Sequence, residues 1–425
     1  MKLLVEVSQG IGNCVQGTPL CHALWLLGHE VDLFINCKPA QADAVAAMWR
    51  EWPVLGKVFT RRQQLRVRDY DFGVSCYGRH LLLKLFAPGL AMAVVRTATL
   101  GQSETEANVE VARMLGYAAD TPPSHVGKSD RDFALPARSI TVHAGCAVWA
   151  PEKRWPHWPQ LCQRLQAQGW NPVLVGTPDD RSPQGWEDAY TNYFQLSLRD
   201  LNALLSQASA HLGNDSGVGH LAAAAGLGGL ILYGPTSPVK NAPNGRGMAT
   251  LAAPRQHGQE HELTARQPVP IATLPLEDVW AEVTRVLAQA RHEPPRNLPQ
   301  RAQDSPQARL AFLPALAAMA TVPPAQGAFA PGPASINSRG AVYDELEHAY
   351  TRLCAENALL AGTGRRTRGQ MIRLAGQHHL QLAAAVDRTG GKKVRHTVQV
   401  HARDAMRAGL WLGGAWQFVR ALTTG

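Results

Sequence analysis

The stretch Leu212-Gly-Asn-Asp-Ser-Gly-Val-Gly-His-Leu-Ala-Ala-Ala-Ala-Gly226 decides how this chain is read. Its polar, small-residue turn, Asp215-Ser216-Gly217, leads into an alanine-rich run. Short oxygen-bearing side chains accept hydrogen bonds from the first free amides of a helix, so the turn predicts a cap for a helix starting near Val218. His220 falls in the first turn of that helix, facing the side of the exposed amides. The alanines let the helix lie close to a sheet. The strand expected at residues 229–233 then ends in a second tight loop, Gly234-Pro-Thr-Ser-Pro238. Ligand sites of α/β sheets gather at such carboxyl ends.

The same texture runs outward through residues 1–290. Short apolar runs at 3–7, 31–35, 72–76, 140–143, 172–175 and 229–233 alternate with amphipathic or alanine-rich stretches. Such runs predict parallel strands covered on both faces. The fold class is therefore α/β. The prolines in Ala119-Asp-Thr-Pro-Pro-Ser124 stop any helix, and the strand–helix pattern restarts at Ile140. This predicts two Rossmann-like, doubly wound domains, 1–125 and 126–290, facing a cleft. Nine prolines in residues 291–338 read as a linker. Residues 339–425 read as a C-terminal helical extension, with helices at 342–360, 370–386 and 394–421.

Two further glycine-bearing segments belong with the first. Ser8-Gln-Gly-Ile-Gly-Asn-Cys-Val-Gln-Gly-Thr-Pro-Leu20 places Gly10 and Gly12 in a tight strand-to-helix turn. A Gly-x-Gly turn alone is more often structural than functional. Val142-His-Ala-Gly-Cys-Ala-Val-Trp-Ala-Pro-Glu-Lys-Arg-Trp-Pro156 presents Lys153 and Arg154 before a helix expected to open at Trp155-Pro156. Cations beside a helix start suit a diphosphate, although an isolated Lys-Arg pair is more often a solvated face.

Taken in order, the Gly-Ile-Gly-Asn…Thr-Pro-Leu opening, Lys-Arg-Trp-Pro, Asn-Asp-Ser-Gly-x-x-His-Leu-Ala-Ala-Ala and Tyr-Gly-Pro-Thr-x-Pro resemble glycosyltransferase family 9, the ADP-heptose:lipopolysaccharide heptosyltransferases and their relatives. Glu104-Thr-Glu-Ala-Asn-Val-Glu-Val-Ala-Arg-Met-Leu-Gly116 resembles a further family stretch. The likeness spans about residues 1–290. It implies a GT-B fold, with acceptor bound by the first domain and nucleotide-sugar donor by the second. It also implies inverting, metal-independent transfer, by default of heptose from ADP-heptose to a glycan such as lipopolysaccharide core. No cofactor or metal is implied beyond the nucleotide-sugar co-substrate. Lys153 matches the family lysine at the donor phosphates, and Asp215, Ser216, Gly217 and His220 match the turn holding the diphosphate and sugar. Asp179 or Asp180 matches an acid near the donor, and Ser197, in Leu196-Ser-Leu-Arg-Asp-Leu201, a stretch close to the nucleotide. Gly10 and Gly12 belong to the acceptor-side loop.

Asn13 departs from the family pattern, which usually has Asp there as the base for the acceptor hydroxyl. An amide cannot take that proton. Another base, a more acidic nucleophile, or a slow or inactive copy would each account for it. The alternative readings are transfer to a protein, nucleic acid or small molecule, and a degenerate nucleotide-binding scaffold acting through its tail.

Charge and cysteines bound the rest. The formal net charge is +9, and from Pro331 to Gly425 thirteen Lys or Arg outnumber six Asp or Glu. Such a tail offers a surface to an anionic membrane or another polyanion, or is simply solvated. The apolar stretch 410–422 is expected to dock on its own chain, pair with another copy or lie on a membrane. His378, His379, His396 and His401 are badly spaced for a metal. The seven cysteines are scattered, without a Cys-x-x-Cys pair, so neither a disulfide framework nor a zinc site is expected. No apolar run reaches the roughly 18 residues that span a bilayer, and the first strand is too short for a secretory signal. A cytoplasmic protein, peripheral at the inner face of the membrane, is the expectation.

Overall fold

The computed structural model describes residues 1–8, 10–66, 69–76, 92–94, 103–147, 150–254, 269–289 and 296–302. The expected tail helices, their histidines and the apolar stretch 410–422 lie outside the described residues, as does most of the expected linker. The described strands fall into two sheets, of five and six strands. Lys2–Ser8 pairs in parallel with Phe72–Ser75, Glu30–Asn36 with Leu55–Phe59, and Phe72–Ser75 with Met92–Val94, and all five pairings of the six-stranded sheet are parallel. The α/β expectation holds.

The chain divides into two compact units. The first includes strand β1 (Lys2–Ser8) as far as Glu6, with β4 (Phe72–Ser75) and β5 (Met92–Val94). Its β1 pairs with β4 from Leu3↔Phe72 to Glu6↔Ser75, and β4 pairs with β5. Leu3, Leu4 and Val5 are fully buried, as an apolar strand covered on both faces requires.

The second unit begins at Val7 and carries the rest of the described chain. In it, α1 (Ile11–Gln16) and α2 (Thr18–Leu26) follow β1. Next come β2 (Glu30–Asn36), α3 (Pro39–Ala46), β3 (Leu55–Phe59) and α4 (Glu104–Met114). Residues 120–136 contain neither helix nor strand. Beyond them run β6 (Ser139–His143), α5 (Trp158–Ala167), β7 (Asn171–Val175), β8 (Thr191–Tyr193) and α6 (Leu198–Gln207). The series ends with β9 (Ala210–Asn214), α7 (Gly217–Ala224), β10 (Gly229–Tyr233), α8 (Pro238–Asn241), β11 (Met248–Ala252) and α9 (Leu276–Gln289).

The six strands β6–β11 stand in the order β11-β10-β9-β6-β7-β8. This is the doubly wound order, whose direction of progression reverses between β6 and β9. All five residues of β6, β9 and β10 are buried. Helices cover the sheet with apolar stripes at helical spacing, such as Trp158, Leu161, Cys162 and Leu165 on α5, or Val279, Val283 and Val286 on α9. The two tryptophans of the Lys-Arg-Trp-Pro region are core residues whose indole N–H groups are satisfied. Trp155 donates to the Leu274 carbonyl at 2.9 Å and Trp158 to Asn214 Oδ1 at 3.1 Å.

Trp155 also corrects an expectation. The helix does not open at Trp155-Pro156: Pro151–Lys153 form a turn of 3-10 helix, and α5 starts at Trp158. Anchoring Trp155 in the core, 1% exposed, delays the helix by three residues. The six expected strands are all present, and β3, β5, β8, β9 and β11 are additional to them.

Candidate donor site at the strand switch point

The loops leaving β6 and β9 adjoin at the reversal of strand order, so they meet where a doubly wound sheet opens a crevice. The loop from β9 carries Asp215, Ser216 and the start of α7. The backbone N–H of Asp215 donates to Leu232 of β10 at 2.9 Å, fixing the turn against the neighbouring strand. The loop from β6 brings Lys153, 62 positions earlier in sequence, to the same place. Lys153 Nζ donates to Asp215 Oδ2 at 2.7 Å, and the Thr236 hydroxyl of the loop after β10 donates to the same oxygen. The Lys153 side chain is 16% exposed and that of Asp215 9%, so the pair sits in a partly dry setting where charge counts for more than at the surface. Three loops thus converge on one carboxylate, which holds an ammonium beside the free amides that open α7. That combination can bind a diphosphate.

A second polar chain lies beneath it. Ser216 occupies the N-cap position of α7, but its side chain does not cap the helix as expected. Its Oγ instead meets His143 Nδ1 at 2.9 Å, while His143 Nε2 lies 3.5 Å from Asp180 Oδ2. Asp180 also accepts from the amide and hydroxyl of Thr177, each at 2.8 Å. Burial alone would raise the Asp180 carboxyl, but His143 and Thr177 outweigh it and hold it at about 2. Asp180 is thereby a brace between β7 and β6; a Cβ on Gly145 would lie only 2.0 Å from its Oδ1. Asp179 is exposed, and its carbonyl accepts from Arg154 at 3.5 Å. Ser197 caps α6, accepting from the Asp200 N–H at 3.1 Å. It adjoins an open pocket of about 310 Å³ lined by Pro178, Arg181, Asn192, Tyr193, Phe194, Gln195 and Leu196.

The Gly-Ile-Gly-Asn turn meets the Asp215-Ser216-Gly217 turn directly. Gly10 adopts φ 90°, a backbone that favours glycine, and α1 follows it. Helix α1 packs on α7 so closely that a Cβ on Gly12 would lie 2.7 Å from Cδ2 of His220, and one on Gly217 3.0 Å from Ile11 Cβ. Asn13 is half-buried on α1. His220 is 6% exposed, and its Nδ1 has no hydrogen-bond partner among the described residues. Burial lowers its pKa to about 4; Asp215 opposes the shift and Lys153 adds to it. The imidazole is therefore neutral at pH 7.

Besides His143 and Thr236, two buried titratable groups escaped sequence reasoning. His211 of β9 is fully buried, shares a 3.0 Å hydrogen bond with Thr141, and is pushed down to about 3 by burial and by His143. Glu104 opens α4 and is 2% exposed, with Oε2 unpartnered among the described residues. Burial raises its carboxyl to about 7, partly offset by the charge of Lys240. An acid in the first turn of a helix is ordinary in sequence; only the fold reveals that this one is enclosed. Among the described residues no helix is long and apolar enough to cross a membrane.

Comparison with known proteins bears on this geometry. Residues 83–268 match the family described as Glycosyltransferase family 9 (heptosyltransferase). Lipopolysaccharide heptosyltransferase 1 of Pseudomonas aeruginosa is 28% identical over 261 residues, covering 51% of this chain and 72% of the relative. Lipooligosaccharide heptosyltransferase 2 of Haemophilus influenzae is 32% identical over a shorter span, 26% of this chain and 35% of the relative. In fold, the chain is similar to a family 9 glycosyltransferase from Veillonella parvula, with TM-score 0.54 and 16% identity over 68% of this chain and 97% of that one. It is also similar to ADP-heptose lipopolysaccharide heptosyltransferase II of Escherichia coli, with TM-score 0.52 and 19% identity over 68% and 99%. The fold is GT-B. Over residues 83–268 the chain is thus similar to glycosyltransferase family 9, and it is a heptosyltransferase-like glycosyltransferase.

Proposed function

We propose that this protein transfers a sugar, by default heptose from ADP-heptose, to a glycan acceptor such as lipopolysaccharide core, with inversion and without a metal. The observation that carries the reading is the convergence of Lys153 and Thr236 on Asp215 beside the start of α7. A leaving nucleoside diphosphate gains negative charge as the glycosidic bond breaks. A preset ammonium and helix-start amides stabilise that charge without reorganising. The acceptor hydroxyl attacks the anomeric carbon from the opposite face in one displacement, which inverts the centre. The pocket beside Phe194 and Leu196, at the same end of the sheet, suits the nucleobase. Neutral His220 serves as a hydrogen-bonding group for the sugar rather than as a cation.

Asn13 orients the acceptor but does not deprotonate it, because a carboxamide has no basic site at neutral pH. The proton therefore leaves to another group or to solvent. The acceptor is met at the cytoplasmic face of the membrane.

Thermal unfolding with ADP, UDP, GDP, CMP and their sugar conjugates tests this reading. A ligand at about 100 times its Kd adds roughly 2.7 kcal/mol to the folded state. Selective stabilisation by ADP and ADP-heptose is expected. Preference for another nucleotide would replace the donor, and no shift with any of them would leave a scaffold acting through its tail as the better reading.

A further inference from the structure

Two cysteines that are 23 positions apart in sequence come into contact beside the Gly-Ile-Gly-Asn turn: Cys14 Sγ and Cys37 Sγ lie 4.0 Å apart. Cys14 follows Asn13 on α1 and is fully buried. Cys37, just past the end of β2, is the one described cysteine that is not buried. The other described cysteines are in the interior, and burial pushes the Cys21 thiol up to about 12 and that of Cys162 higher still. A half-exposed thiol backed by a buried one is the arrangement in which the first meets an oxidant and the second resolves the product.

We propose that Cys14 and Cys37 are a hydroperoxide-responsive dithiol that closes to a disulfide. The Cys37 thiolate attacks the terminal oxygen of a hydroperoxide. The O–O bond breaks, Cys37 becomes a sulfenic acid, and the remaining alkoxide takes a proton to leave as an alcohol, or as water when the oxidant is hydrogen peroxide. Cys14, as its thiolate, then attacks Cys37 Sγ. The S–S bond forms, the S–O bond breaks, and the departing hydroxide takes up the proton shed by Cys14 to leave as water. In sum, two thiols lose two electrons and the peroxide gains them. Disulfide sulfurs lie about 2.05 Å apart, so closure needs roughly 2 Å of approach. Helix α1 is short and carries Gly12 against His220, so that approach pulls on the element that joins the two turns of the site.

The full chain, reduced and desalted, is treated with hydrogen peroxide, alkylated and digested without reductant for mass spectrometry. A Cys14–Cys37 cross-linked peptide is expected, with two fewer free thiols and full reversal by dithiothreitol. Cys37→Ser should abolish the cross-link and leave Cys14 alkylatable. Cys14→Ser should let Cys37 proceed to the sulfinic acid. Two free thiols after treatment, Cys37 sulfinic acid beside unmodified Cys14 in the unsubstituted protein, or linkage to a different cysteine would each overturn the proposal. Peptide mapping does not depend on sugar transfer, so this test stands or falls apart from the nucleotide panel.

Discussion

The turn before α7 and the turn before α1 touch, yet they are built on different principles. The first is a convergence of charge: Lys153, Asp215 and Thr236 arrive from three loops of one parallel sheet, and a second chain, Ser216–His143–Asp180, stiffens the loops below. The second is a convergence of backbone, in which Gly12 and Gly217 let α1 and α7 approach, and its one catalytic-position side chain is the amide of Asn13. A leaving diphosphate needs fixed charge, whereas an acceptor needs a shaped opening and a proton sink. On the proposed function, the charged turn serves the donor, while the amide of Asn13 marks where the acceptor side differs from the family pattern.

Acid should produce the largest effect that probes this contrast. His211 and His220 are neutral in the fold, with values of about 3 and about 4 against an ordinary 6.5. The unfolded chain therefore takes up protons first. Their contribution is complete above about pH 6.5 and drains away as pH falls towards those lower values. At pH 4.5 the pair should have lost about 5 kcal/mol, measured by urea unfolding against pH 7. His220→Gln should flatten only its own share, and a level profile between these pH values would show that neither imidazole is enclosed.

Glu104, on the α1 side, has the opposite sign. Its folded value of about 7 lies above the ordinary 4.5, so its stabilising contribution is present below about pH 4.5 and lost as pH rises through 7. Glu104→Gln should therefore be more stable than the parent by about 3 kcal/mol in thermal unfolding at pH 8, with the gain vanishing in acid. Retained transfer activity in that variant would also remove Glu104 as a substitute for the missing base.

Lys153→Ala removes a charge-assisted contact and should weaken donor binding by about 1.5–3 kcal/mol, read by titration calorimetry with the stabilising nucleotide. Unchanged affinity would dissociate the charged cluster from the donor. The smallest effect belongs to the seam itself. Gly12→Ala places a Cβ 2.7 Å from the His220 ring, and the strain should cost about 1–2 kcal/mol in chemical unfolding.

Much of the fold was legible because strands covered on both faces leave a local signature. The apolar runs at 140–143, 172–175 and 229–233 lie inside observed strands for that reason. Two of the strands that escaped, Thr191–Tyr193 and Met248–Ala252, are at the two edges of the six-stranded sheet and contain no buried residue, while Ala210–Asn214 is central and buried but its His211, Gly213 and Asn214 interrupt the apolar run. Edge strands carry a weaker hydrophobic pattern, so periodicity passes over them. The start of α7 was legible from its Asp215-Ser216-Gly217 turn, although Ser216 does not cap it, whereas the start of α5 was misplaced at Trp155, whose ring is claimed by the core.

By itself, the sequence determined the residue types of the candidate donor site, the glycine turns and the amide at position 13, because these are properties of single residues and short spacings. Only the tertiary structure decided that Asp215 holds Lys153, that Ser216 turns away from its helix towards His143, and that His220 is sealed against Gly12. It alone joined Cys14 to Cys37 and enclosed Glu104. Those facts depend on burial and on contacts between distant segments, and a carboxyl, an imidazole or a thiol has no fixed chemistry until its surroundings set its charge.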